Sequence, residues 1–236
     1  MKYALLDWDN TIRNGYTLFS LVDYFVENKI ISPNVKIQVN SYFSAYRSGN
    51  MSHDSLAENA CNVFAMSLCG SKEEIISKAI VKFVEKDKKQ LFPFAPTIFD
   101  VLSQYNISPI IVSGAPTTVI KQYKGFKIHT IYGFSMEIND GIYTGKVLNN
   151  YGCNKKAITS KIISQMKRPP EIAFGDSLSD YDMLTMSKKS VIIGTSNKSN
   201  TFVTDASIPI HSSNVYVRKM ISNLLSQPVA EEKAFG

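Results

Sequence analysis

Tyr3-Ala4-Leu5-Leu6-Asp7-Trp8-Asp9-Asn10-Thr11 is the stretch on which the fold turns. Its first four residues form a short apolar run of the kind that makes a parallel strand buried on both faces. Two acids follow at once, where a buried strand would not favour them. In open α/β sheets, ligands bind in the crevice beyond the carboxyl ends of the strands, so polar residues there point to a site. Side chains alternate along an extended segment, which returns Asp7 and Asp9 to one side and turns Trp8 away, into the core.

Two later segments end in the same manner. Ile110-Ile111-Val112, entered through Pro109 as the first residue of its strand, runs into Ser113-Gly114. Glu171 to Phe174 runs into Gly175-Asp176-Ser177-Leu178-Ser179-Asp180, and Val191 to Ile193 forms another strand ending at Gly194. Tyr132 to Met136 and Ile142 to Val147 flank Asn139-Asp140-Gly141, a hairpin turn signal. Helices are expected from Lys155 to Met166 and from about Asn214 to Leu225. Strands alternating with helices imply an α/β fold, a Rossmann-like parallel sheet covered on both faces.

Between the first and second core strands the periodicity is helical throughout. Leu18, Leu21, Val22, Tyr24 and Phe25 suit one helix, and Val39, Tyr42, Phe43 and Tyr46 a second. Leu56, Ala60, Val63, Phe64 and Met66 suit a third, Ile75, Ile76, Ala79, Ile80, Phe83 and Val84 a fourth, with Gly70-Ser71 between them. Residues 1–13 and 93–228 are therefore expected to form the catalytic core, 14–92 an inserted all-helical cap, and 229–236 a mobile tail.

Composition narrows the function classes. The 236 residues hold three cysteines at irregular spacing with no CxxC, which reads as reduced thiols rather than a disulfide framework or zinc site. No stretch is long and apolar enough for a signal peptide or a membrane span, so a cytoplasmic protein with no membrane partner is expected. The net charge of +6 is spread thinly, without a basic block interleaved with aromatics, so no nucleic acid is expected either. His53, His129 and His211 lack metal-ligand spacing, and His53 reads as a first-turn surface residue.

Acids converging from several strand ends repel one another unless a cation compensates them. Mg2+ is the natural choice, since it takes oxygen ligands and works with one or two carboxylates plus substrate phosphate. Asp7 and Asp176 are the first candidates to hold it. A carboxylate can also be a nucleophile, here Asp7, with Asp9 protonating the leaving alkoxide and later deprotonating water. Ser113 and the Gly114 N–H would hold the phosphoryl oxygens, and a lysine would neutralise the remaining charge.

Asp7-x-Asp9-x-Thr11, Ser113-Gly114, a downstream lysine and Gly175-Asp176-x-x-x-Asp180 resemble, in order, the four motifs of the haloacid dehalogenase superfamily. Gly141-Ile142-Tyr143-Thr144-Gly145-Lys146-Val147 followed by Gly152-Cys153-Asn154-Lys155, together with the helical insertion, is similar to its phosphoserine-phosphatase-like branch. The resemblance implies a Mg2+-dependent phosphomonoesterase that acts on a small phosphorylated metabolite through an aspartyl-phosphate. It selects Lys155 over Lys156 as the phosphate-neutralising lysine. It also places Thr11 in the loop after the nucleophile, among the phosphate-binding residues, and Asp7, Asp9, Asp176 and Asp180 in the metal set. In the cap it implies a glutamate and an arginine for phosphoserine, where this chain has Tyr16 and Asn59, with Arg47 not far away. Strict phosphoserine specificity is therefore not expected, and Tyr16 is the first candidate to touch substrate.

Other readings remain. A dehalogenase or phosphonate hydrolase needs no acid at the position of Asp9. A phospho-accepting signalling module carries its paired acids and its phosphorylated acid on different strands and lacks so long an insertion. A non-catalytic binding protein would have lost chemical positions that are all present.

Overall fold

The structure is a computed structural model, and it describes residues 1–194 and 204–228. The expected tail, 229–236, lies outside the described residues. The chain runs β1 (Lys2–Leu6), α1 (Thr17–Glu27), α2 (Pro33–Arg47), α3 (His53–Ser67), α4 (Glu73–Asp87) and α5 (Ala95–Gln104). It continues through β2 (Ile107–Pro116), α6 (Thr117–Ile120), β3 (Thr130–Asn139), β4 (Ile142–Asn149), α7 (Lys155–Met166) and β5 (Ile172–Gly175). The final elements are α8 (Tyr181–Thr185), β6 (Ser190–Ile193), β7 (Ala206–Ile208) and α9 (Asn214–Ser226).

Among the described residues one sheet of seven strands runs β4-β3-β2-β1-β5-β6-β7, parallel except for the antiparallel β3–β4 pair at one edge. β1 lies in the middle, between β2 and β5. Its residues divide strictly by parity, as a doubly covered strand requires. Ala4 and Leu6 join the larger apolar core with Ile111, Phe174 and Val191, while Tyr3 and Leu5 join the smaller one with Ile110, Val112, Ala173 and Ile192. The smaller core is closed by Ile158 and Ile162 of α7 and by Met183 and Leu184 of α8.

β2 begins two residues earlier than the sequence suggested, so Pro109 is its third residue. The proline is tolerated because pairing with β3 starts only at Ile110, leaving one flank where a missing N–H costs no ladder bond. The β3–β4 turn has positive φ at both Asp140 and Gly141, the geometry a tight hairpin demands. β4 is an edge strand, and the α3–α4 loop covers part of it. Gly70 N–H donates to Tyr143 O (2.9 Å), Tyr143 N–H to Ser71 O (3.0 Å), and Glu73 N–H to Gly141 O (2.8 Å).

The four helices α1–α4 all fall between β1 and β2. Capping explains where they begin: Ser32 precedes Pro33 and accepts from Asn34 N–H, and Ser52 accepts from Ser55 N–H. The chain before α1 and the end of α4 are joined by a buried charge pair. Arg13 grips Asp87 with two hydrogen bonds, Nε to Oδ2 at 2.8 Å and Nη2 to Oδ1 at 2.7 Å. Arg13 also donates to Asn14 O and to Ser20 Oγ, and the Tyr123 hydroxyl donates to Asp87 Oδ2 at 2.5 Å.

Candidate active site

The carboxyl ends of β1, β2 and β5 open into one cavity of about 440 Å3. Asp7 leaves β1 with its N–H donating to Phe174 O of β5 at 3.0 Å, which ties the two strand ends together. The chain then turns sharply: Thr11, Ile12 and Arg13 all direct their N–H groups at Trp8 O. Asn10 supplies the positive φ of 59° that this turn needs. Trp8 faces the other way, with its ring 4.9 Å from Tyr123 in the larger core.

Asp180 organises the acidic end of the site. Its Oδ2 accepts from Asp176 N–H (3.0 Å) and Ser177 N–H (3.1 Å), and its Oδ1 accepts from Lys155 Nζ at 2.5 Å. Gly175 is what lets this carboxylate fold back, since a Cβ there would lie 2.5 Å from Asp180 Cβ and 2.6 Å from its Cγ. Lys155, the first residue of α7, is held at the helix start by the Asn154 cap. Its ammonium lies 2.8 Å from Asp7 Oδ1, an ion pair rather than an aligned hydrogen bond. Its neighbour Lys156 is exposed. One oxygen each from Asp7, Asp176 and Asp180 lie within 4.8 Å of one another.

Asp9 lines the cavity but stands outside that trio. It accepts from the N–H of Thr17 at 3.0 Å and from the Thr17 hydroxyl, so the amino end of α1 rests on this carboxylate. Ser113 is buried, and its Oγ accepts from Ala115 N–H at 3.2 Å. Gly114 meets Gly152 backbone to backbone: a Cβ on Gly152 would stand 2.5 Å from Gly114 Cα and 2.8 Å from its nitrogen.

Burial is the main force on the charges. It pushes the Asp7 carboxyl above the usual carboxylate range, with Lys155 pulling it down and Asp180 pushing it further up. Burial likewise raises Asp9 to about 7, against the hydrogen bond from Thr17 and with the Asp7 charge adding to the rise. Desolvation works against the Lys155 ammonium, yet Asp180 and Asp7 outweigh it and hold its pKa above normal. The site thus carries an excess of buried negative charge that one lysine does not balance. All the donors of the trio are carboxylate oxygens, which suits a hard divalent cation such as Mg2+. Lys155 and the N–H groups of Asp176 and Ser177 already occupy the two Asp180 oxygens.

Of the residues singled out in the sequence, Asp7, Asp9, Tyr16, Ser113, Gly114, Lys155 and Asp176 line the cavity. Asp180 lies behind Lys155, fully buried. Thr11 is also fully buried and is not on the cavity wall, with no hydrogen-bond partner for its hydroxyl. Arg47 is exposed and Asn59 half-buried, and neither lines the cavity. His53 does line it, half-exposed at the first turn of α3, so it is more than the surface residue expected. Asn10, Ser177 and Ser179 line it too, and their places inside the two acidic motifs were the signal available. Thr17 escaped notice because its bond to Asp9 spans eight residues with no pattern to announce it.

Among the described residues, no helix is long and apolar enough to cross a membrane. Comparison with curated proteins finds no match. Solved structures give the same fold at low identity. One is a phospho-aspartyl intermediate analogue of phosphoserine phosphatase, 17% identical, covering 94% of this chain and 98% of its own, with a TM-score of 0.64. A probable phosphoserine phosphatase from Vibrio cholerae is 16% identical, covering 97% and 68%, with a TM-score of 0.68. A phosphoserine phosphohydrolase-like protein from Francisella tularensis subsp. tularensis is 15% identical, covering 94% and 100%, with a TM-score of 0.65. The family model for haloacid dehalogenase-like hydrolases matches residues 4–185, from the first core strand through the Asp176–Asp180 loop and α8, and the chain belongs to that family.

Proposed function

We propose that the protein is a Mg2+-dependent phosphomonoesterase that hydrolyses a small phosphorylated metabolite through an aspartyl-phosphate on Asp7. The observation that carries this reading is the meeting of the Asp7, Asp176 and Asp180 carboxylates with the Lys155 ammonium at the mouth of three strands. In the first half-reaction an Asp7 oxygen attacks phosphorus, the bond to the leaving oxygen breaks, and Asp9 gives that oxygen its proton. In the second, Asp9 takes a proton from water, the water oxygen attacks phosphorus, and the bond to Asp7 breaks to release inorganic phosphate. Ser113 and the Gly114 N–H hold phosphoryl oxygens, and Lys155 balances their charge while keeping Asp7 in place. A divalent cation bound by Asp7 and Asp176 supplies positive charge that draws the phosphate in and relieves repulsion among the acids. Residues 14–92, with α1–α4, serve as a cap that closes the site from bulk water.

The phosphoserine phosphatases among the structural neighbours support the reaction class. Phosphoserine itself is disfavoured as main substrate, since α3 contains no lysine or arginine and, among the described residues, no glutamate lines the cavity. The test is steady-state release of phosphate from 4-nitrophenyl phosphate with Mg2+, before and after chelation. Multiple turnovers that stop with the chelator and return with Mg2+ are expected. Turnover that persists without metal refutes the cation's role, and phosphorylation without turnover favours a signalling module.

The glycine pair gives a finer prediction. Gly152→Ala must push the Gly114 backbone aside, and displacements of that size cost roughly 10- to 100-fold in kcat/KM. An unchanged kcat/KM would show that the Gly114 N–H does not hold substrate.

A further inference from the structure

The cavity has two walls of opposite character. The loops beyond the strand ends and the first residue of α7 supply its acids and its lysine, while the wall from α1–α3 is built largely by Tyr16, Phe19, Tyr46, Leu56, Ala57 and Ala60. α3 turns Leu56, Ala57 and Ala60 to the cavity along one face, and its acids Asp54 and Glu58 are not on that face. α3 carries no lysine or arginine at any position. The aromatics brace one another: Tyr16 lies edge-on to Phe19 at 5.7 Å and to Phe43 at 6.0 Å, and Tyr46 edge-on to His53 at 6.0 Å.

We infer that the alcohol released from the phosphoester is largely apolar, bears no carboxylate and carries a flat ring. Its ring lies between Tyr16, Phe19 and Tyr46 and the Ala57–Ala60 face of α3. The inference rests on the phosphatase reading and narrows its substrate class. A carboxylate carried to this wall would lose its water and meet the negative faces of three aromatic rings, with no lysine or arginine beside them. A sugar needs a partner for each hydroxyl, and this wall offers the Tyr16 and Tyr46 phenol groups, the His53 imidazole and the Cys61 thiol. A ring, by contrast, gains edge and face contacts with three aromatics, and the two alanines leave a slot where larger side chains would fill it. The volume of about 440 Å3 is at the small end for ligand pockets, which suits one ring with its phosphoryl group.

The test uses the full chain with Mg2+ and compares kcat/KM for benzyl phosphate, O-phosphoserine, phosphocholine and glycerol 1-phosphate. All four are esters of alkyl alcohols, so differences in leaving-group reactivity stay small. Benzyl phosphate is expected to lead each of the others by about tenfold or more. Phe19→Ala should reduce that lead at least about fivefold, chiefly by raising KM for benzyl phosphate. A charged or polyol ester that equals benzyl phosphate overturns the inference, as does a lead that Phe19→Ala leaves intact. Hydrolysis of 4-nitrophenyl phosphate without any of benzyl phosphate overturns the inference alone. No release from any of these esters overturns the phosphatase reading and the inference together.

Discussion

Asp7→Asn should lower kcat for any phosphomonoester by at least about 10^4-fold, the scale on which removing a nucleophile acts. The change is nearly isosteric, and the amide cannot attack phosphorus or leave as a carboxylate. Its effect on stability should run in the opposite direction. Burial holds the Asp7 carboxyl above its ordinary range, so in the folded state its proton is bound more tightly than in the unfolded chain. A group shifted that way stabilises the fold at low pH and opposes it increasingly as the pH rises through the raised value. Asn removes that opposition, and Lys155 keeps Asp180 as a partner. The thermal midpoint at neutral pH is therefore expected to stay level or rise. Thermal unfolding beside phosphate release checks both parts, and a folded variant with wild-type turnover would remove Asp7 from the mechanism.

Arg13→Met should have the largest effect on stability of any substitution away from the acids. Arg13 and Asp87 are almost wholly buried, and removing the guanidinium leaves a carboxylate in the interior with only the Tyr123 hydroxyl. Breaking one side of a buried pair costs about 3–5 kcal/mol. For a chain of this size that amounts to a loss of roughly 10 °C in Tm. The double variant Arg13→Met with Asp87→Leu should regain much of the loss, because the stranded charge goes with it. A calorimetric scan of the three proteins decides the matter, and equal midpoints would mean that the pair contributes nothing to holding the insertion in place.

The core and the charged half of the site were legible in the sequence because their signals are local. A strand buried on both faces has to be apolar until it ends, so Asp7 and Asp176 stand out just past β1 and β5, and Ser113 in the irregular last part of β2, which runs on to Pro116. Asn139-Asp140-Gly141 announces its hairpin because that turn needs positive φ. Three residues, Ala206–Ile208, are too few for periodicity to register, which is why β7 went unread. The wall formed by the helices was hidden for a different reason. Helical spacing says that Leu56 and Ala60 share a side, but which side meets the cavity depends on how α3 packs. Asn59 therefore took the place by alignment that its neighbours hold in space. Arg13 and Asp87 are 74 residues apart, and nothing near either one marks the other.

The loop that covers β4 also has a mechanical meaning. An insertion tethered only through Arg13–Tyr16 and Lys88–Phe92 could swing like a door on two pins. The bonds from Gly70, Ser71 and Glu73 to the hairpin add a third fastening, far along the chain from both pins. Any swing must either break those bonds or carry the β3–β4 turn with it.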